Sequence, residues 1–237
     1  MGTALVFSLI ASSALVIGAA IGIWRPPSKR ITAGLLAFAS GALITAVAFE
    51  LFEDAFDHGG ALAAGGAFIA GALAFIAVDT PLERRKERSL GEGDAVGLAL
   101  LAAVTLDGIP ENLAMGVSLV ENSNPALLVA IFASNLPEAI VGATKMRNAN
   151  SHPPARIMLI WVVTAILLAI AVVIGYGALE GVSGETLALP LGFAAGAVLA
   201  SLSDTLMPQA FEEADHNPAI ALATALGFLL SFLIATG

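Results

Sequence analysis

Eight long apolar segments constrain this chain of 237 residues more than any other feature of its sequence. Each is about as long as the roughly 20 residues that an α-helix needs to cross the hydrocarbon core of a bilayer. Only 12% of the residues are charged, against about 25% in soluble domains. We therefore predict one all-α integral membrane domain over residues 1–237, with helices at approximately 3–23, 31–53, 61–80, 95–120, 124–146, 155–178, 187–209 and 218–236.

The basic residues predict the orientation of these helices. Every Lys and Arg lies in or beside the loops that follow the first, third and fifth segments: Arg25, Lys29, Arg30, Arg84, Arg85, Lys86, Arg88, Lys145, Arg147 and Arg156. The positive-inside rule makes these alternate loops cytoplasmic and places both termini outside. Seven or nine helices would scatter the same charges over both sides. The pattern thus favours a multi-pass protein of the cell membrane with eight helices.

Two further features exclude classes of function. The chain has no cysteine, which excludes thiolate metal sites and cysteine nucleophiles. Its net charge is −9, and its few basic residues sit in short loops, which is not the pattern of a nucleic-acid-binding surface. We expect the lipid bilayer as a partner and no nucleic acid.

Short matching motifs indicate an internal repeat. Phe-Ala-Ser-Gly-Ala at 38–42 resembles Phe-Ala-Ala-Gly-Ala at 193–197, and Asp-Gly-Ile-Pro-Glu at 107–111 resembles Ser-Asn-Leu-Pro-Glu at 134–138. With eight helices, the members of each pair run in opposite directions. The sequence therefore predicts a 3+2+3 inverted repeat, a design that transporters often use, with the binding site at the repeat interface.

Carboxylates inside the apolar segments are the candidates for function. No Lys, Arg or His accompanies the five deep ones, which are Glu50, Asp107, Glu111, Glu138 and Asp204. A charge at the centre of a membrane helix costs about 2.5–3.5 kcal/mol on insertion scales, and such residues usually mark ion or proton paths. Protonation or a bound external cation would each remove this cost. We favour a cation, because five permanently neutral acids would serve no purpose.

Helical spacing concentrates these groups between the fourth and fifth segments. Asp107 and Glu111 are four residues apart and share one helix face, as do Asn135 and Glu138, which are three apart. Prolines at 110 and 137 remove backbone donors and free carbonyl oxygens in the preceding turn. The pattern predicts an oxygen-rich site at mid-membrane, with Glu50 and Asp204 nearer the two ends of the path.

These motifs resemble the ZIP family of zinc and iron permeases, whose fourth helix typically reads His-Asn-x-Pro-Glu-Gly. The resemblance rests on residues 107–116 and 134–138, together with the stretches 38–54 and 204–208. It implies eight helices with both termini outside, and metal bound between helices 4 and 5 with help from helices 2 and 7.

The resemblance also assigns individual residues. Glu111 and Glu138 match metal-binding glutamates of the family. Asp107 stands where the family usually has a ligand histidine, Gly108 where it has asparagine, and Asn135 where it has aspartate or another polar ligand. Ligation by oxygen alone suits Mn²⁺, whereas imidazole favours Zn²⁺. Zinc, iron and manganese therefore all stay open.

The leading hypothesis is an importer of divalent transition metal that works by alternating access, with no prosthetic group and no enzymatic activity. An intramembrane aspartyl hydrolase using Asp107 and Asp204 is one alternative, since paired acids can share a proton and activate water. A proton-coupled carrier of organic cations is another. A non-transporting helical scaffold explains the acids least well. The oligomeric state, including a homodimer, is left open.

Overall fold

The computed structural model describes residues 1–89, 105, 108–120, 125–148, 152–182, 184–214 and 217–236. All regular secondary structure within these ranges is helical. Six helical runs are long and apolar enough to cross a membrane, by length and composition: Gly2–Trp24, Lys29–Pro81, Pro125–Asn148, Pro154–Leu179, Gly184–Glu212 and Ala219–Thr236. The described residues thus confirm an all-α protein and are consistent with an integral membrane protein.

The described residues of the first half of the chain form three α-helices. Helix α1 spans Gly2–Trp24. Helix α2 spans Lys29–Ala46. Ser28 caps its N-terminus, because its side chain accepts a hydrogen bond from the backbone N–H of Ile31. A π-helical segment, Val47–Phe52, then joins α2 to α3, which spans Glu53–Ser89.

A sharp break at Gly60 divides α3 into two helices that meet at a kink. Gly60 has φ 68° and ψ 179°, a backbone conformation that is essentially restricted to glycine. The predicted segments 31–53 and 61–80 lie on either side of this residue. A single glycine therefore supplies the turn between two apolar helices within the run Lys29–Pro81.

We expect Gly60→Ala to lower the free energy of unfolding by about 1–3 kcal/mol, because alanine is strained at this φ and ψ. Thermal unfolding of the purified protein in detergent measures the effect. The matched control is Gly66→Ala, since a Cβ at Gly66 meets no atom within 4 Å and alanine favours a helix over glycine. Equal melting temperatures for the two variants would contradict the assigned turn.

Six further α-helices follow among the residues that the structure describes in the second half of the chain. Helix α4 covers residues 108–120, while the first part of the predicted segment 95–120 and Asp107 lie outside the described residues. The remaining elements are α5 (Pro125–Asn148), α6 (Pro154–Leu179), α7 (Gly184–Ser201), a second π-helical segment (Leu202–Leu206), α8 (Met207–Glu213) and α9 (Ala219–Thr236). Helices α5 and α6 both begin at a proline. Proline has no backbone N–H, and the first residue of a helix has no partner within the helix for one.

Helix α5 is the most buried of the six apolar runs. It packs against α1 and α2, and also contacts α6, α9 and the first π-helical segment. The larger hydrophobic core includes Leu43 of α2, Ile131 of α5 and Leu191 of α7. A smaller core joins α1, α5 and α6 around Trp161. Side chains on α5 are therefore enclosed by other helices rather than turned toward lipid.

Helices α2 and α9 approach so closely that only glycine fits where they cross. Where α2 crosses α9, a Cβ on Gly41 would overlap the carbonyl oxygen of Thr224, and one on Gly227 would overlap that of Phe38. Small residues permit such backbone contact between membrane helices.

The crossing of α3 and α7 has the same form. A Cβ on Gly196 would overlap the carbonyl oxygen of Phe68, and one on Gly71 would overlap that of Phe193. Positions 193 and 196 follow 38 and 41 by 155 residues. The two π-helical segments, which start at Val47 and Leu202, are also 155 residues apart.

A third correspondence involves the helices that carry the Pro-Glu motifs. A Cβ on Gly22 of α1 would lie 2.5 Å from the carbonyl oxygen of Ile140 in α5, and one on Gly175 of α6 would lie 2.5 Å from that of Leu113 in α4. Leu113 and Ile140 each lie three residues after a motif proline, Pro110 or Pro137. Helix α1 thus packs on α5 as α6 packs on α4.

Candidate functional site

Helices α4 and α5 bring buried polar side chains together. Glu111 on α4 is only 2% exposed to solvent. The hydroxyl of Ser134 on α5 lies 3.2 Å from Oε2 of Glu111, to which it can donate a hydrogen bond, and 3.0 Å from the carbonyl oxygen of Ile131. Glu138, also buried, is one helical turn beyond Ser134 and shares its face. A carboxylate from each helix therefore lies near this contact.

Each of the two residues that make this contact is followed in the chain by a buried asparagine. Asn135 is fully buried, and neither its Oδ1 nor its Nδ2 has a hydrogen-bond partner in the part of the chain that the structure describes. Asn112 is equally buried; its Nδ2 donates to the carbonyl oxygen of Gly108 at 2.8 Å, while its Oδ1 has no such partner among the described residues. An unsatisfied buried amide costs about 1–3 kcal/mol. Such groups in native proteins usually indicate a missing ion, water or ligand.

The π-helical segments position two further candidates. Glu50 lies in the first segment and is buried, whereas Asp204 lies in the second and is exposed. The first segment contacts α5 and α7, and the second contacts α2. Short π-helical turns within α-helices frequently occur at functional sites. Both irregular turns thus carry a carboxylate, and the first of them, which carries Glu50, contacts α5.

The predicted site residues have different surroundings. Glu50, Glu111, Asn135 and Glu138 are buried, Asp204 is exposed, and Asp107 lies outside the described residues. Among the described residues, no three Asp, Glu or His side chains are close enough together to hold a metal ion. The described contact between α4 and α5 therefore joins one carboxylate and one hydroxyl, rather than forming a completed carboxylate cage.

A basic side chain on α5 lies well away from this contact. Arg147 donates a hydrogen bond to the carbonyl oxygen of Ile23 near the end of α1. It follows Glu138 by nine residues, or about 13 Å along the helix axis. This arginine stabilises a helix end.

Sequence reasoning missed two residues at this site. Ser134 was part of a recognised motif but not a candidate, although it precedes Pro137 by three residues just as Asp107 precedes Pro110. Asn112 directly follows Glu111, and nothing in its spacing distinguished it from an ordinary packing residue. The register of the two motifs could have identified Ser134; the burial of Asn112 required the structure.

These features define an all-helical, multi-pass membrane protein with buried acids and amides between two central helices. No family model matches the sequence. The chain is similar over nearly its whole length to proteins named Zinc transporter ZupT from Salmonella typhimurium, Salmonella typhi and Salmonella newport. Each is 26% identical to it over 252 aligned positions, which cover 99% of this chain and 97% of the relative. These relatives are named as transporters, in agreement with the prediction that the chain is not an enzyme.

Proposed function

We propose that this protein transports a divalent metal cation across the membrane through a site between α4 and α5. The observation that carries the proposal is the buried contact between Glu111 and Ser134 beside the unsatisfied amide of Asn135. Buried acids deep in membrane helices usually serve ions or protons. The similarity to zinc transporters over nearly the full length supports an ion that is a metal. The same similarity does not favour the alternatives of an intramembrane hydrolase or an organic-cation carrier.

The proposed ligands are oxygen atoms of Asp107, Glu111, Asn135 and Glu138, with Glu50 and Asp204 along the path of the ion. Carboxylate and amide oxygens suit Mn²⁺ and neighbouring divalent ions, while the names of the relatives favour zinc. We keep zinc, iron and manganese as candidate substrates. The metal is cargo, so the protein needs no prosthetic group.

We infer that the helices form a 3+2+3 inverted repeat of eight spans with both termini outside. The paired glycine crossings support this arrangement, because α2 packs on α9 as α7 packs on α3 at a spacing of 155 residues. The packing of α1 on α5 and of α6 on α4 supports it at the centre. Inverted repeats give two equivalent arrangements that can open alternately to each side. We propose that the protein works by alternating access, which this design supports, and that it imports its cargo across the cell membrane.

Uptake by reconstituted vesicles tests the proposed function. We expect vesicles containing the purified protein to accumulate Zn²⁺, Fe²⁺ or Mn²⁺ faster than protein-free vesicles, with rates that saturate as a finite number of sites fills. The fluorescence of a metal-sensitive dye enclosed in the vesicles measures the rate of uptake. Uptake equal to that of protein-free vesicles for all three ions would contradict the proposal.

Replacing Asn135 should raise the stability of the protein but lower its affinity for metal. We expect Asn135→Leu to raise the free energy of unfolding of the metal-free protein by about 1–2 kcal/mol, because a buried unsatisfied amide is removed. The same change should weaken metal binding about tenfold or more, since loss of even an outer partner of a ligand costs 10–100-fold. Thermal unfolding and calorimetric metal titration measure the two effects. Lower stability with unchanged metal affinity would indicate a purely structural amide.

A further inference from the structure

An apolar groove separates two pairs of helices beside the candidate site. It has a volume of ≈ 520 Å³ and runs between α3 and α7 on one side and α4 and α6 on the other. The described residues that line it are all apolar or glycine. Phe75 of α3, Pro110 and Leu113 of α4, and Phe193 of α7 are among them.

The packing of the helices explains why this space exists. Close glycine contacts hold α3 against α7, at Gly71 and Gly196, and α4 against α6, at Gly116 and Gly175. Between the two pairs some of the facing side chains are small, as at Ala74 of α3 and Ala178 of α6. Each pair is therefore tight, but the pairs do not fill the volume between them.

The groove is continuous with the lipid-facing surface of the helices. Three of its lining side chains are also largely exposed, namely Val78 (53%), Ile174 (55%) and Phe193 (44%). Helices α3, α6 and α7 belong to runs that are long and apolar enough to span a membrane. Hydrocarbon chains of the bilayer are thus the material that surrounds the opening.

The size and lining of the groove select its occupant. An apolar cavity stays dry, and one of about 150 Å³ binds benzene, so ≈ 520 Å³ has room for on the order of 20 carbon atoms. Water would leave its hydrogen bonds unmade against these walls. We propose that one acyl chain of a membrane lipid binds in this groove, as a wedge between the pair α3 and α7 and the pair α4 and α6.

The bound acyl chain would contact the helix that carries the candidate site. Ile109, Pro110 and Leu113 form the α4 wall of the groove, and Glu111 lies between them in the chain. A bound chain supplies van der Waals contacts that an empty groove lacks, and so fixes the position of α4. This inference concerns a lipid site and holds whether or not the protein transports a metal.

Photolabelling in a membrane tests the lipid site without any metal. The full chain is placed in nanodiscs of phosphatidylcholine whose palmitoyl chain carries a diazirine, is irradiated, and is analysed by peptide mass spectrometry. We expect adducts on the groove wall of α4, at Leu113 and Val117, and also on the lipid-facing helix α9. Adducts on α9 alone would overturn the proposal.

Variants that fill the groove sharpen the test. Ala178→Phe on α6 and Ala74→Phe on α3 should each lower labelling of Leu113 and Val117 roughly fivefold or more, because the larger side chain takes up the space of the acyl chain. Ala225→Phe on α9, an exposed alanine outside the groove, is the matched control and should leave this labelling unchanged. Adducts on α9 report that each variant is inserted in the membrane. Groove labelling that neither filling variant reduces would overturn the proposal.

Discussion

Replacing Glu111 or Glu138 with glutamine is expected to reduce metal uptake at least about 100-fold, because loss of an outer partner of a metal ligand already costs 10–100-fold. Glutamine keeps the size of the side chain and removes its charge. Both glutamates are buried in the described structure, and Glu111 is positioned by the Ser134 hydroxyl. The loss should therefore come from missing ligation rather than from altered packing. Initial uptake rates in reconstituted vesicles measure the effect.

Glu180→Gln is the matched control for this pair of variants. Glu180 is exposed at the end of α6, where its Oε1 lies 3.2 Å from the Tyr176 hydroxyl. Its replacement removes the same charge far along the chain from the Pro-Glu motifs and should leave uptake close to the wild-type rate. If Glu111→Gln and Glu138→Gln transport metal as fast as Glu180→Gln, these glutamates do not bind the cargo.

Adding one methyl group at a helix crossing is expected to have the largest effect on stability. We expect Gly41→Ala and Gly196→Ala each to lower the free energy of unfolding by about 3 kcal/mol or more, at the upper end of the usual cost of overpacking. The new Cβ would overlap a backbone carbonyl oxygen, of Thr224 or Phe68, which cannot turn aside as a flexible side chain can. Thermal unfolding in detergent measures the loss.

Gly34→Ala on α2 and Gly65→Ala on α3 are the controls for the crossings. A Cβ at either position meets no atom within 4 Å, so alanine should raise stability by up to about 1 kcal/mol through its higher helix propensity. The two crossing variants should also lose similar amounts of stability, because Gly41 and Gly196 make corresponding contacts. Melting temperatures for the crossing variants as high as those for Gly34→Ala and Gly65→Ala would contradict the described packing.

Long apolar runs made the all-α membrane fold predictable from the sequence. Such runs can satisfy their backbone hydrogen bonds in lipid only as helices or closed barrels, and segments of this length favour helices. Helix Pro154–Leu179, for example, lies over the predicted segment 155–178. The predictions of eight spans and of an inverted repeat stay proposals, which the spacing of the glycine crossings supports.

Local irregularities were not predictable in the same way. The π-helical segments Val47–Phe52 and Leu202–Leu206 lie in stretches whose apolar pattern also suits an ordinary α-helix. They require contacts between helices that a single sequence does not display. The predicted segments 31–53 and 61–80 left a loop at 54–60, but only the backbone angles of Gly60 identify it as the residue at the turn.

The candidate site was partly predictable because charge deep in a membrane is costly and therefore informative. This argument identified Glu111 and Glu138, which are buried, but it also selected Asp204, which is exposed. Neutral polar groups carry a weaker signal, since membrane Ser and Asn often serve helix packing. Ser134 became a candidate only through its contact with Glu111, and Asn112 only through its burial.

The central claim is that buried side-chain oxygens of α4 and α5 bind a divalent cation. An anomalous difference map from crystals soaked with Zn²⁺ tests it most directly. We predict a peak between the two helices, with carboxylate oxygens of Glu111 and Glu138 at about 2.0–2.2 Å from the metal. A map whose only peaks lie at exposed loops, with both carboxylates bound to protein groups alone, would contradict it.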